Sequence, residues 1–424
     1  MIKLNTHQEI VGVNSLIDRF LCKYSIFNIL DKPGLLKNVC EEITTIANSC
    51  FSIVPQVDND YIYDRIGTIK RYKQILDKLC KLPVVKQRSE EWYNMRKTLI
   101  TASDFAQALG DGKFGTQKQL FVKKCGFEED KFNNNAPALR WGVMFEPLAS
   151  DIYSRRNFCK LYEFGLLRHP TVEYFGASPD GINECGVMLE IKCPFQRKIT
   201  GEIPLQYFYQ IQGQLDVCGL DECDYLECGF AMYEQEKDFW KDKGNYEKGI
   251  IIEYKMNESD ETTQFKYSKL LLGAPDQDTD IKSWIEDQCN ETPNIVNIHF
   301  WKIHTYNCSR IYRDNAFIQE KLGKMKDVWD TIELYKSNFD LYKEKVMTPT
   351  RAKRAASASI STGPVQVPDD IVQQPTIATI TTSGMGIVTT SIAPQPQSTT
   401  AQKKTNNTNS FKMGAPVDYA FLDM

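Results

Sequence analysis

The chain has 424 residues, 42% hydrophobic and 25% charged, with a net charge of −4. That is the balance of a soluble globular protein with additions around one core. No apolar run approaches membrane-spanning length and Met1-Ile2-Lys3-Leu4-Asn5 does not open a signal peptide, which excludes membrane-protein and secretory readings. The 13 cysteines are scattered, and even the regularly spaced Cys218, Cys223 and Cys228 lack a CxxC pair or a neighbouring His. Reduced thiols in an intracellular compartment, without zinc, are therefore expected.

Residues 1–82 read as a helical N-terminal region. Leu36, Val39, Ile43 and Ile46 keep the three-four spacing of a buried helix face, and Ile69, Tyr72, Leu76 and Leu79 repeat it. Thr101-Ala102-Ser103-Asp104, followed by Phe105 to Leu109, predicts a helix capped by Thr or Ser and stopped at Gly110. Amides at such a start, completed by the guanidinium of Arg96, would suit a phosphate; an ordinary N-cap is the simpler reading. Arg140 to Arg155 predicts a helix with Trp141, Phe145, Leu148, Ala149 and Ile152 inward, kinked or delayed by Pro147, and with Glu146 at the edge of that face.

The densest stretch is Gly176 to Pro194, GASPDGINECGVMLEIKCP, which reads as short strands joined by turns. Glu190 and Lys192 fall on one face of the second strand, Leu189 and Ile191 on the other. A carboxylate and an ammonium at a buried strand cost desolvation, and Asp180 on the preceding turn brings a second carboxylate. The group suits either a cation site with a water-activating lysine or an ordinary surface ion pair. Pro204 to Val217 predicts a helix with Tyr207, Phe208, Ile211 and Leu215 buried, and with Gln206, Gln210 and Gln214 aligned at four-residue steps. Strands are expected at Tyr225–Tyr233, Gly249–Tyr254 and Ile295–Ile303, and a closing helix through Ile318, Leu322, Met325, Trp329 and Ile332. Residues 349–424 turn rich in Ser, Thr, Ala, Gln and Pro, the composition of a disordered tail; Phe411, Tyr419, Phe421 and Leu422 make its end a candidate docking peptide.

Asp180 with Glu190-Ile191-Lys192 is the D…ExK pattern of the PD-(D/E)xK nucleases. Together with RSEEWYNMRKTLITASDFAQALG from Arg88, RWGVMFEPLA from Arg140 and IPLQYFYQIQGQLDVCG from Ile203, it resembles the lambda-exonuclease (YqaJ-type viral recombinase) family over Arg88 to Tyr233. The resemblance implies an α/β (α+β) fold, with a restriction-endonuclease-like core whose mixed central sheet is flanked by helices, over residues 83–348. It implies Glu146, Asp180, Glu190 and the carbonyl of Ile191 as ligands of Mg²⁺ or Mn²⁺, and Lys192 as the group that orients and deprotonates water, its pKa lowered by burial and adjacent cations. Gln210 becomes an active-site residue, and Arg96, Ser103, Ser178 and either Arg197 or Lys198 become substrate contacts.

The activity implied is 5′→3′ digestion of one strand of duplex DNA from a 5′-phosphate end, leaving a 3′ overhang for a single-strand annealing protein. No membrane partner is implied, and a viral member would act in the host cytoplasm or nucleus. The chain departs from the family pattern at Arg168-His169-Pro170-Thr171, where the lead enzyme has a further acid. The N-terminal helices and tail have no counterpart in the minimal phage enzyme, so its ring-shaped trimer does not carry over, and an oligomer is neither implied nor excluded. Two rivals remain: an endonuclease of the same fold acting inside DNA or RNA, and a non-catalytic nucleic-acid-binding scaffold. Net acidity does not announce DNA binding, and the clusters Lys118-Lys123-Lys124, Arg155-Arg156-Lys160 and Arg197-Lys198 are each expected first as solvated faces.

Overall fold

The computed structural model describes residues 7–24, 33–50, 59–87, 89–127, 136–272, 277–347 and 380–381. Apart from Ile380 and Thr381, the expected disordered tail and its docking peptide lie outside the described residues.

Three amphipathic helices open the chain: α1 (His7–Lys23), α2 (Pro33–Cys50) and α3 (Asn59–Leu79). Their inward residues follow the helical period, as with Val13, Ile17 and Leu21 on α1 and Ile62, Ile66 and Ile69 on α3. Next come α4 (Glu90–Lys97), β1 (Ile100–Thr101), a 3₁₀ turn at Ala102–Asp104, α5 (Phe105–Ala108), α6 (Gln117–Cys125) and α7 (Pro137–Asn157). Pro147 neither delays nor ends α7, which starts at Pro137 with a proline in the first turn and continues to Asn157.

Short strands β2 (Leu161–Tyr162), β3 (Leu167–Arg168), β4 (Phe175–Ala177) and β5 (Gly181–Asn183) lead to β6 (Met188–Lys192). After β6 come α8 (Leu205–Cys218), β7 (Glu222–Met232), α9 (Glu236–Lys241), β8 (Lys248–Tyr254) and β9 (Gln264–Tyr267). The chain then forms α10 (Gln277–Glu291), β10 (Ile295–Tyr312), α11 (Asn315–Ser337) and α12 (Phe339–Tyr342). A two-residue β11 (Ile380–Thr381) lies beside Asn307 and Cys308 of β10.

The main sheet runs β2-β5-β6-β7-β10-β8-β9, and a small sheet β1-β4-β3 stands beside it. Among the described residues, only β6 and β7 pair in parallel within the main sheet, with Glu190 opposite Tyr225 and Lys192 opposite Glu227. A parallel pair needs a crossover, and α8 is that crossover, so topology itself lays α8 over β6. Val187, Leu189 and Ile191 of the β5–β6 hairpin join a core with α7 and the N-terminal helices. Met188 joins the opposite core with α5, α8 and α11. The sheet is thus a mixed layer between two helical layers, and the helices of residues 1–82 share its core.

A buried ion network ties those helices down. Arg310 of β10 donates to both Asp224 oxygens at 2.7 and 3.1 Å, to Asp18 of α1 at 3.0 Å and to Glu222 at 2.9 Å. Arg65 of α3 grips Asp18 with two nitrogens at 2.9 and 2.6 Å and also donates to Glu222. Burial drives the Asp18 carboxyl upward, but Arg65 and Arg310 outweigh it and hold it below its ordinary value. Nothing in the local sequence marks this network, because its residues come from α1, α3, β7 and β10.

Candidate active site

The site begins with the β5–β6 hairpin. Gly186 turns it at φ 77°, and an added Cβ would meet the Tyr72 Cβ at 2.3 Å, so glycine is required both by conformation and by the close approach of α3. Asp180, on the turn entering β5, accepts from the Ile191 amide at 2.7 Å, which pins it beside β6. Glu190 is fully buried and is satisfied by three donors: Lys192 Nζ and Gln210 Nε2 (2.6 Å) on Oε1, and Gln214 Nε2 (2.8 Å) on Oε2. Burial, then the negative charges of Glu190 and Glu146, raise the Asp180 carboxyl well above its usual range. Asp180, on a turn, therefore feels the charges of Glu190 on a strand and Glu146 on a helix.

Among the protein's own groups, burial lowers the Lys192 pKa, but Glu190 and then Asp180 outweigh burial and raise it. Adjacent cations, on which the expected lowering partly rests, would act against those carboxylates. The Lys192 Nζ also lies 4.9 Å from the centre of the Tyr207 ring, which favours the charged form.

Helix α8 comes close because Gly213 faces Phe175 and Ala102: an added Cβ would lie 2.9 Å from the Phe175 ring and 3.2 Å from the Ala102 Cβ. The expected inward stripe holds for Ile211 and Leu215, whereas Tyr207 and Phe208 are half-buried and Tyr209 takes the buried place. Gln214, 1% exposed, straps the site together by donating to the Ser178 carbonyl at 3.2 Å as well as to Glu190. Its amide orientation follows from those two acceptors.

Arg96 and Ser103 meet as predicted, with the guanidinium donating to Ser103 Oγ at 3.1 Å. Of the two caps expected, Thr or Ser, Thr101 is the one used: Ser103 sits inside the 3₁₀ turn and α5 adds one turn, with Asp104 folding back on the Thr101 amide. Trp92 joins the two ends of the site: its ring lies 4.4 Å from the Arg96 guanidinium and its indole donates to Ser178 Oγ at 3.3 Å. A single cleft of about 140 Å³ runs from Gln87, Trp92, Arg96 and Ser103 to Ser178, Asp180, Gln210 and Gln214.

The basic clusters are largely committed to internal pairs. Lys123 and Lys124 bind Asp104, Arg155 binds Asp151, Arg156 binds Glu247, and Arg197 binds Glu227. Lys198 is exposed beside that last pair. His169, in the segment that departs from the family pattern, contacts Asp216 at 3.0 Å.

Sequence reading singled out the face of Gln206, Gln210 and Gln214 but took only Gln210 for the site. It passed over Trp92 and placed Tyr207 in the buried stripe of α8, whereas both meet partners remote in sequence. Among the described residues no three His, Cys, Asp or Glu side chains close tightly enough to hold an ion by themselves. The donors present suit a hard cation that keeps several waters: buried carboxylates whose mutual repulsion a positive charge would relieve.

Residues 91–221 match the family model of the YqaJ-like viral recombinase domain. An uncharacterised protein of Acanthamoeba polyphaga mimivirus is 28% identical over 345 residues, spanning 70% of this chain and 62% of the relative, less than two thirds of that protein's length. A protein of African swine fever virus is 26% identical over 289 residues, spanning 56% of this chain and 83% of the relative. Among solved structures, the alkaline exonuclease LHK-Exo from Laribacter hongkongensis aligns with 61% of this chain and 100% of its own, at 21% identity and a TM-score of 0.38.

Proposed function

From a chain that carries a YqaJ-like viral recombinase domain, we propose a metal-dependent deoxyribonuclease that hydrolyses phosphodiester bonds from the 5′ ends of duplex DNA, in recombination, repair or viral genome processing. The observation that carries this reading is the single cleft joining the Arg96–Ser103 corner to Asp180 and Gln210. A terminal phosphate seated at one end would leave the following linkage near the carboxylates.

Asp180, Glu190, the Ile191 carbonyl and Glu146 would hold one or two Mg²⁺ or Mn²⁺ ions. When bound, such an ion offsets charge on the phosphate and lowers the pKa of a water. Lys192, kept charged by Glu190 and Asp180, is placed to donate to that water or to a phosphate oxygen. Gln210 and Gln214 keep Glu190 from turning away, and Ser178 presents its hydroxyl toward Trp92 and the cleft. The product, a 3′ single-stranded overhang, would suit a single-strand annealing partner.

The deciding experiment is digestion of uniformly labelled linear and closed-circular duplex, with and without Mg²⁺. Release of nucleotides from linear DNA alone supports the exonuclease. Cutting of the circle hands the reading to an endonuclease, and no hydrolysis of either leaves a binding scaffold.

Two substitutions refine the assignment. Arg96→Ala is expected to slow engagement of 5′-phosphorylated ends at least about tenfold, the equivalent of one charge-assisted contact of ~1.5–3 kcal/mol. Its effect on 5′-hydroxyl ends should be much smaller, so initial rates on the two substrates form a double-mutant cycle; equal losses on both would remove the end-sensing role. Gln214→Met keeps the volume but frees Glu190 Oε2 and the Ser178 carbonyl. Turnover should fall about 10- to 100-fold, matching loss of one hydrogen bond to a charged group. Single-turnover rates close to wild type would show the strap to be dispensable.

A further inference from the structure

Behind the Arg96–Ser103 corner lies a buried carboxylate surrounded by cations. Asp104 is 3% exposed, with Lys123 Nζ 3.0 Å from Oδ1 and Lys124 Nζ 2.8 Å from Oδ2. Its Oδ2 also accepts from Thr101, from the amide at 3.3 Å and from Oγ1 at 2.8 Å, and Thr101 Oγ1 lies 2.9 Å from Ser103 Oγ. Lys124 has a side chain with 0% exposure, and the same ammonium donates to the Arg96 carbonyl at 2.8 Å. One lysine on α6 therefore clamps two things at once: the last turn of α4, which carries Arg96, and the carboxylate that shapes the turn carrying Ser103.

We propose that the buried Lys124–Asp104 pair is the positioning device that presets Arg96 and Ser103 as a receptor for a dianionic terminal phosphate. The inference rests on the nuclease reading above and names the residues that make its end-sensing corner selective. Arg96, Lys123 and Lys124 surround Asp104, so three positive charges less one negative charge leave a local excess of two. A phosphate monoester carries close to two negative charges and an internal diester one, so the excess favours a strand end over the chain interior. Neither lysine needs to touch the phosphate. Without Lys124, the Arg96 turn loses its anchor, and of its two lysine partners Asp104 keeps the half-exposed Lys123.

Burial would raise the Asp104 carboxyl, but Lys124, Lys123 and Arg96 hold it well below its ordinary range. Burial, reinforced by the like charges of Lys123 and Arg96 and opposed by Asp104, lowers Lys124 to about 8. The pair is thus charged at neutral pH, and selectivity for phosphorylated ends should weaken as pH rises through that value.

The test compares binding of short duplexes with 5′-phosphate and 5′-hydroxyl ends by fluorescence anisotropy in EDTA, then their digestion rates in Mg²⁺. In Lys124→Met the phosphate-to-hydroxyl affinity ratio is expected to fall at least about tenfold, and its decline at alkaline pH should flatten. Should Lys124→Met fail to fold around an unpaired Asp104, the double variant Asp104→Asn with Lys124→Met, which buries no lone charge, should show the same collapse. An unchanged ratio in either folded variant overturns the proposal. Equal losses on both ends overturn it too, by reducing the pair to a structural role. A wild type that digests linear DNA without phosphate preference removes the receptor but spares the nuclease. A wild type without hydrolysis removes the nuclease, while the binding ratio in EDTA still decides the receptor.

Discussion

Lys192→Ala is expected to lower metal-supported turnover by about 10²- to 10⁴-fold, the range for losing a positioned proton-transfer group, while DNA binding persists. Lys192 bonds to Glu190 Oε1, stacks against Tyr207 and keeps 23% of its side chain exposed. Gln210, which shares Glu190 Oε1 with it, lines the cleft together with Asp180. The substitution leaves Glu190 with Gln210 and Gln214, so the carboxylate remains satisfied and the fold should hold. Steady-state rates beside circular dichroism and DNA-binding curves separate lost chemistry from lost structure. A folded variant with near wild-type turnover would sink the D…ExK assignment.

The second large effect concerns stability. Arg310→Met should destabilise the protein by about 3–5 kcal/mol, because it takes the bound guanidinium from buried Asp224 and leaves Asp18 and Glu222 to Arg65. Asp18, Glu222 and Asp224 are all under a tenth exposed, so water cannot replace the lost guanidinium. The pH dependence has a definite sign. The Asp18 pKa is depressed in the folded state, so its stabilisation is present above the ordinary carboxylate pKa and is lost as pH falls through the folded value. Removing Arg310 raises that folded value, so acid unfolding should begin at higher pH in the variant than in the wild type. Urea unfolding across a pH series checks both parts. A loss below about 1 kcal/mol would mean that the network is neutral, as some buried ion pairs are.

The two effects probe different layers of the molecule. Lys192 belongs to the carboxylate group beside the cleft and stays partly exposed. Arg310 acts in a sealed layer, where the same kind of charge serves only to dock α1 and α3 on the sheet.

Much of this protein was legible in the sequence because the information was local. The three-four spacing in residues 36–46 and 69–79 gave the N-terminal helices, since burial of one helix face needs only that period. The Pro-Asp-Gly break before an apolar run gave the β5–β6 hairpin, and alternation put Glu190 and Lys192 on one face. By resemblance, Arg96 could be paired with Ser103, and the structure brings them into contact at 3.1 Å.

The remainder depended on contacts between segments far apart in sequence. Thr101, rather than Ser103, became the cap because Asp104 turns back under the pull of two lysines on α6. Lys192 became a firmly held cation because Glu190 on its own strand and Asp180 on the turn before β5 converge on it. Gln214 entered the site because Gly213 lets α8 approach β4, and β10 ran on to Tyr312 because β7 offered a partner along its whole length. Residue spacing thus determined which elements form and which faces they bury, since those depend on neighbours within a turn or a strand. Charge state, strap and clamp were decided only by the fold, because electrostatic and hydrogen-bond energies depend on distance through space, which the order of residues does not contain.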